Sequence, residues 1–500
     1  MMTGILTLAG RIRNTNRPGT GFRKQHNAGA FLPAGLLGLL LGCGGVQAEA
    51  PAEVPDGVPV VEVDKGAVSQ YELGNGLKIL VKQDHRAPIA VVQLWYRVGS
   101  SYEYSGITGV SHVLEHMMFK GTEKYPTGEF DRIISENGAR DNAFTGQDYT
   151  AYYQILASDR LEVAMELESD RMRGLTLPPA EFKKEVEVVK EERRWRVEDK
   201  PNALVMEQFN ATAFNNSPYK NPVIGWMSDL DSLQVEDLKE WYQRWYAPNN
   251  ATLVVVGDVD PSRVYSLAQK YYGAIKPSEI DPPKPRREAP QRGLRDVVVK
   301  APAEVPVIMM GFKAPAMVDL KGTKDEWEPY ALEVLASVLD GGSSSRMSRE
   351  LVRGREIAAS AGAWYSGYGR MPNLFMLSGV PAKEVTLDVM KEALLEQVER
   401  LKSEKVTAQE LARVKAQVIA DEVYGLDSVY QQATLLGSLE SVGLGHELMD
   451  RYVARILAVT PEQIQQVAQK YFIQDQLTEA RLDPQPIDPD RPRAEPHFVR

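Results

Sequence analysis

Two hydrophobic periods alternate along the chain. Short apolar runs on either side of Gly74-Asn75-Gly76 in "YELGNGLKILVKQD" (71–84) predict a β-hairpin. The runs "IAVVQLWYRVGS" (89–100) and "NATLVVVGDVDP" (250–261) are too continuously apolar for a half-wet strand, so they predict strands buried on both faces. Between them the period lengthens. Val110, Val113, Leu114, Met117 and Met118 recur at helical spacing from Thr108 to Lys120, with Gly121 as a stop. The charged stretch "PAEFKKEVEVVKEERRWRVEDKP" (179–201) predicts a long helix opened by Pro179 and ended before Pro201, and a further helix is expected over 262–273. Proline and charge then break both periods in "KPSEIDPPKPRREAPQRG" (276–293), which has a linker's composition.

Beyond the linker the pattern repeats in worn form. "VIMMGFKAPA" (307–316) aligns with "VVQLWYRVGS", and "VTPEQIQQVAQKYF" (459–472) aligns with "LQVEDLKEWYQRWY" (233–246), in apolar and aromatic positions rather than identities. The expected fold is α+β: two homologous domains, each an antiparallel-rich sheet packed with helices, of roughly 200 residues each. Their expected bounds are 70–275 and 294–482, with 483–500 as an extended tail.

Composition adds three constraints. Five hundred residues exceed what one core supports, and 43% of them are hydrophobic, enough for two. The net charge is −10, and no Lys/Arg run is interleaved with aromatics in the body of the chain, which argues against a nucleic-acid partner. The first 50 residues are basic, then apolar: Arg11, Arg13, Arg17, Arg23 and Lys24 precede "FLPAGLLGLLLG" (31–42). This reads as an export signal, too short to span a bilayer as a helix, and its removal takes the net charge from −10 to −15. Cys43, the single cysteine, follows in "LLGC" like a lipidation site, while "VQAEA" (46–50) offers ordinary cleavage sites; either way no disulfide supports the fold. The expected location is the bacterial cell envelope, periplasmic or lipid-anchored.

The helix at 108–120 carries the candidate chemistry. His112 and His116 are four apart, so both imidazoles leave one face a turn apart, close enough for both nitrogens to reach one zinc ion. Glu115 projects beside them, where it could take a proton from a metal-activated water. Composition alone predicts about 0.01 such H-x-x-[DE]-H matches, so chance is a weak competitor to the metal reading. A third ligand is expected on the 179–201 helix. Glu185 and Glu192 are seven apart and share a face, but spacing alone does not choose between Glu191 and Glu192.

With these residues in view the chain resembles the pitrilysin/insulinase family, the inverzincins, whose motif runs H-x-x-E-H. The resemblance extends from about residue 70 to 480 and implies an exported zinc metalloendopeptidase acting on peptides or unfolded segments. His112, His116 and Glu192 would be the ligands, the last in "VVKEER"; Glu115 would be the general base, with Glu185 supporting the site. "DNAFTGQDYTAYY" (141–153) is similar to the family's substrate hairpin, where an edge strand takes an extended peptide, and it assigns Asn142 and Ala143 as contacts. In the second domain Arg353 matches the family's substrate-binding arginine, but Ser360 stands where the family has tyrosine. That departure, with two such domains here against four in the large members, implies a dimer, either of this chain or with a related subunit lacking zinc. The competing implication is a non-catalytic scaffold subunit of an envelope complex. His446 reads as an isolated loop or helix-edge histidine, and Ser343, Ser344 and Ser345 as a turn without a base.

Overall fold

A computed structural model describes residues 67–281 and 283–488. The leader, Cys43 and the tail beyond 488 lie outside the described residues. Among the described residues eleven strands form two sheets. The first contains β1 (Val68–Glu72), β2 (Lys78–Gln83), β3 (Ile89–Tyr96), β4 (Arg140–Thr145), β5 (Thr150–Ala157) and β6 (Ala251–Gly257), ordered β1-β2-β6-β3-β5-β4. The second contains β7 (Arg295–Pro302), β8 (Val307–Ala314), β9 (Ala358–Trp364), β10 (Asn373–Pro381) and β11 (Leu477–Gln485), ordered β7-β11-β8-β10-β9.

The two ladders have one topology. A parallel pair, β2 with β6 or β7 with β11, joins an antiparallel run through β3 or β8 and ends on a hairpin edge strand, β4 or β9. The weak repeat in sequence is therefore a repeat of pairing order. It survives because β3, β6 and β8 are buried strands, where apolar residues can exchange for one another while the pattern is kept. The first hairpin forms as expected, with Val68 opposite Lys82 and Gly76 taking φ 85° in its turn.

Each sheet has its own helices on one face and a helix from the other half on the other. Val429–Ser441, from the second half, packs on β3 and β6 and closes a core containing Val91, Trp95, Val254, Ala433 and Leu436. Pro201–Ala213, from the first half, packs on β7 and β11 around Val205, Phe209, Val299 and Leu482. Full burial of such side chains contributes roughly 1.5–3 kcal/mol each, so neither sheet can expose its second face cheaply. Gly437 marks how close the first contact is: a Cβ there would overlap the Trp95 indole.

Three elements differ from their sequence patterns. The histidine helix is Val110–Met117, shorter than the 108–120 periodicity. The charged helix ends at Arg193 and continues as a wide π turn, Arg194–Glu198, before Pro201 opens the next helix. β11 runs on to Gln485, into the stretch whose prolines mark it as tail. Past Leu482 it pairs with β7 alone, and there Pro484 is tolerated as on an edge strand. The described residues of the linker carry no helix or strand but are tied down. Arg286 donates to the Ser101 and Glu103 carbonyls at 2.8 and 3.1 Å, and Glu288 accepts from the backbone N–H groups of Asn215, Asn216 and Ser217. Among the described residues no helix is long and apolar enough to cross a membrane.

Candidate metal centre

The histidine helix starts on a buried carboxylate. Glu103 accepts from the backbone N–H groups of Gly109 and Ser111 at 2.8 and 2.9 Å, satisfying donors that the first turn leaves open. Burial pushes that carboxyl up to about 7. Gly109 adopts φ 90°, and a Cβ there would stand 2.8 Å from the Ile224 carbonyl oxygen. With the start fixed, Val110, Val113, Leu114 and Met117 are fully buried, and His112 and His116 face the charged helix, Pro179–Arg193. Phe182, Val186 and Val189 anchor that second helix, and its polar residues Glu185 and Glu192 meet the imidazoles.

Glu192 Oε2 stands 3.7 Å from His112 Nε2 and 3.4 Å from His116 Nε2, and one ligand atom from each of the three residues falls within 4.8 Å of the others. The second Glu192 oxygen is held by Arg196 Nε at 2.9 Å, from the π turn. Glu185 bridges His116 Nδ1 at 3.3 Å and Lys120 Nζ at 2.7 Å, which orients the His116 ring. His112 Nδ1 is buried without such a partner.

Charge in the cluster is unevenly shared. Burial, reinforced by the nearby His116, lowers His112 to about 3 and keeps it neutral, as a metal ligand must be. Burial disfavours the His116 cation, but the Glu185 and Glu192 carboxylates outweigh it and raise His116 to about 9. Burial likewise opposes the Glu192 carboxylate, yet His116, His112 and Arg196 lower it to about 2. A test of fit comes from Glu192 Oε2: it is buried, and its nearest partners are the two imidazole nitrogens at 3.4 and 3.7 Å, in ion-pair range but without a hydrogen bond. A cation between it and the two Nε2 atoms would satisfy it. Two imidazoles and a carboxylate are a donor set that zinc accepts in three-ligand sites with an open position.

Glu115 is beside this cluster, and its Oε2 accepts a hydrogen bond from Thr145 Oγ1, at the end of β4. Burial raises its carboxyl above the ordinary range. Glu191 points elsewhere, exposed and paired with Arg194 at 2.8 Å. Asn142 and Ala143 lie on β4, whose outer edge pairs with no other strand of the sheet. Arg353 is exposed and donates to the Ser343 carbonyl, in the glycine-serine loop; Ser360 is on β9, opposite Val380. Among the described residues no hydrogen bond or ion pair joins Arg353 or Ser360 to the histidine cluster. His446 is not isolated: its Nδ1 is 2.9 Å from Glu440, whose other oxygen binds Lys78 of β2 at 2.7 Å. The grouping of Glu440, His446 and Glu447 is thus occupied by an ion pair between the halves.

Sequence reasoning missed Lys120, Arg196, Thr145 and Glu103. The first two had a signal, since each is four residues after a cluster member and so on its face. Thr145 lay within the 141–153 segment already assigned to the cleft, though nothing local tied it to Glu115; Glu103 had no signal, because only the tertiary fold brings it to the helix.

Comparison with known proteins agrees with this geometry. Residues 78–226 match the model of the insulinase family, peptidase family M16, and residues 232–418 match the M16 inactive domain. The chain is 31% identical over 420 residues to the zinc protease PqqE of Helicobacter pylori, covering 82% of this chain and 92% of that protein. It is 26% identical over 408 residues to YmxG of Bacillus subtilis, described as an uncharacterized zinc protease, at 82% and 96% coverage. A crystal structure of a protease from H. pylori superimposes with a TM-score of 0.78 at 29% identity, over 84% of this chain and 100% of that one. The periplasmic protease PqqL of Escherichia coli shares the fold at a TM-score of 0.70 and 18% identity, over 84% of this chain but 49% of that one. Motif, ladder and relatives agree, and the chain belongs to the insulinase family, peptidase family M16.

Proposed function

We propose that the protein is an exported zinc-dependent endopeptidase that hydrolyses peptides or unfolded segments. The observation that carries this reading is the convergence of one buried Glu192 oxygen on two imidazole nitrogens, at 3.7 and 3.4 Å, without a hydrogen bond to either. The names of the relatives, zinc proteases, point the same way. His112, His116 and Glu192 would hold the metal, and Glu185 would keep the His116 ring in register. Zinc bound there supplies Lewis acidity toward a scissile carbonyl and toward water. Glu115 takes the proton of the attacking water and delivers one to the leaving amine. The open edge of β4, with Asn142 and Ala143, aligns the peptide as an added strand through main-chain hydrogen bonds. Arg353 would contact substrate from the second half.

The two-sheet chain spans about half of a larger relative with this fold, 49% of PqqL, so a closed chamber around a peptide calls for a dimer. Ser360, in place of the family tyrosine, favours a related non-zinc subunit as the partner. The basic and apolar leader supports export, with a periplasmic or Cys43-lipidated product. Zinc content and peptide hydrolysis of the purified mature chain test the reading, alone and with its candidate partner. Bound zinc and hydrolysis abolished by Glu115→Gln are expected. Bound zinc without hydrolysis in any assembly would leave the scaffold role instead.

A further inference from the structure

The hydroxyl of Thr145 reaches the one carboxylate in the cluster that the metal reading leaves free. Thr145 is the last residue of β4 and pairs with Thr150 of β5. Asp141, Ala143 and Thr145 fall on one face of β4 by strand alternation, and β4 packs against the histidine helix. From there Thr145 Oγ1 donates to Glu115 Oε2. A glutamate has three side-chain torsions, and a charged hydrogen bond to one oxygen narrows the direction in which the other can point.

The turn that presents Thr145 is unusually well fixed. Ser100 and Ser101 donate their backbone N–H groups to the Gly146 and Gln147 carbonyls at 3.2 and 2.7 Å. A Cβ at Gly99 would strike that Gly146 carbonyl, so the approach requires glycine. Asp148 is buried in the same turn and accepts from Ser101 Oγ at 2.7 Å, from the Tyr219 hydroxyl, and from the Arg370 backbone N–H at 3.0 Å. Arg370 belongs to the second half, and its guanidinium stacks on Tyr102 at 4.2 Å. The turn is thereby pinned from both halves, and the strand it ends is the open edge.

We propose that Thr145 is a positioning residue that aims the Glu115 carboxylate at the reacting water. This rests on the assignment of Glu115 as general base. One strand, β4, then carries both the edge that aligns the peptide and the hydroxyl that aligns the base. A peptide added to that edge registers against the same rigid turn, so substrate and base share one frame.

The test is steady-state peptide hydrolysis by Thr145→Val and Thr145→Ser in the full chain, with zinc per chain and thermal midpoint measured alongside. Loss of a hydrogen bond to a charged group predicts that Thr145→Val lowers kcat about ten- to a hundredfold. KM, zinc content and midpoint stay near those of the parent, and Thr145→Ser restores most of the rate. In a Glu115→Gln background, Thr145→Val should have no further effect on the residual rate. A fall in KM or zinc alone, an unchanged kcat, or a full additional loss in the Glu115→Gln background would overturn the proposal. If Glu115→Gln itself keeps the parent rate, the base assignment fails first; if it is inactive with zinc retained and Thr145→Val is normal, only the positioning role fails.

Discussion

The two halves place different helices at the same point of one ladder. In the first half Val110–Met117 is the first α-helix after β3, with His112, Glu115 and His116 along one face. In the second half Glu328–Asp340 stands in the corresponding place between β8 and the β9–β10 hairpin, buried through Tyr330, Leu332, Val334, Leu335, Val338 and Leu339, with Glu333, Ser337 and Asp340 on its half-buried face. Both helices keep a polar stripe, but only the first sets two imidazoles on it, so only the first offers a pair of metal-binding nitrogens. The scaffold does not dictate the chemistry; the residues on one helical face do. The edges differ too, since β1 adds a strand outside β2 while β7 has no such cover among the strands described. The exchanged helices then make the halves interdependent, so the half without the histidines still completes the core behind β3.

The largest effects should come from the histidine half. Glu115→Gln keeps shape but cannot accept a proton, and should lower hydrolysis by about 10²–10⁴-fold with zinc retained. Glu192→Gln removes the proposed third ligand and should lose zinc and activity together, whereas exposed Glu191→Gln should be nearly silent. Glu333→Gln, on the helix in the corresponding place, should leave zinc per chain unchanged. Metal content and rate for the four variants side by side decide it. Zinc lost from Glu191→Gln and kept by Glu192→Gln would put the ligand register wrong by one.

A smaller effect tests the exchange. Gly437→Leu forces a side chain into the Trp95 ring and should destabilise by about 1–3 kcal/mol, read from a denaturation midpoint. An unchanged midpoint would mean that the Val429–Ser441 helix does not seat on β3 and β6 as described.

How much of this was legible beforehand follows from the range of the interactions involved. The hairpin, β3, β6 and the repeat were readable because burial on a sheet leaves a local pattern. His112, His116 and Glu115 were readable because a helix puts residues four apart on one face. The choice of Glu192 over Glu191 needed either family likeness or the packing of Phe182, Val186 and Val189, which fixes the rotation of the charged helix. The exchanged helices left no local trace. Val429–Ser441 buries polar and small residues, Gln432, Ala433, Gly437 and Glu440, along with Leu436 and Leu439, so no apolar stripe marks it, and only the fold pairs Gly437 with Trp95. The wide turn at Arg194–Glu198 was hidden in the same way, because a π turn keeps the composition of a helix.

The smallest effect belongs to a polar contact between the halves. Asp84, just after β2, accepts from Arg86 Nη2 at 2.7 Å and from Gln432 Nε2 of the exchanged helix at 2.9 Å. Arg86 also reaches the Asp427 carbonyl at 2.9 Å, so the pair ties the first sheet to the start of that helix. The Arg86 guanidinium, aided by Gln432, holds the Asp84 carboxyl down from 3.8 to about 2. A depressed carboxyl stabilises the fold above its unfolded value and loses that contribution as pH falls through the folded one. Asp84→Asn should therefore destabilise by about 1 kcal/mol or less near neutrality, because Arg86 is exposed and solvent screens the pair. The difference from the parent should persist down to about pH 4 and shrink between pH 4 and pH 2, followed by denaturant midpoints at each pH. A difference that does not change over that range would mean that Asp84 acts through packing rather than charge, and the two halves would then be joined by their exchanged helices alone at this corner.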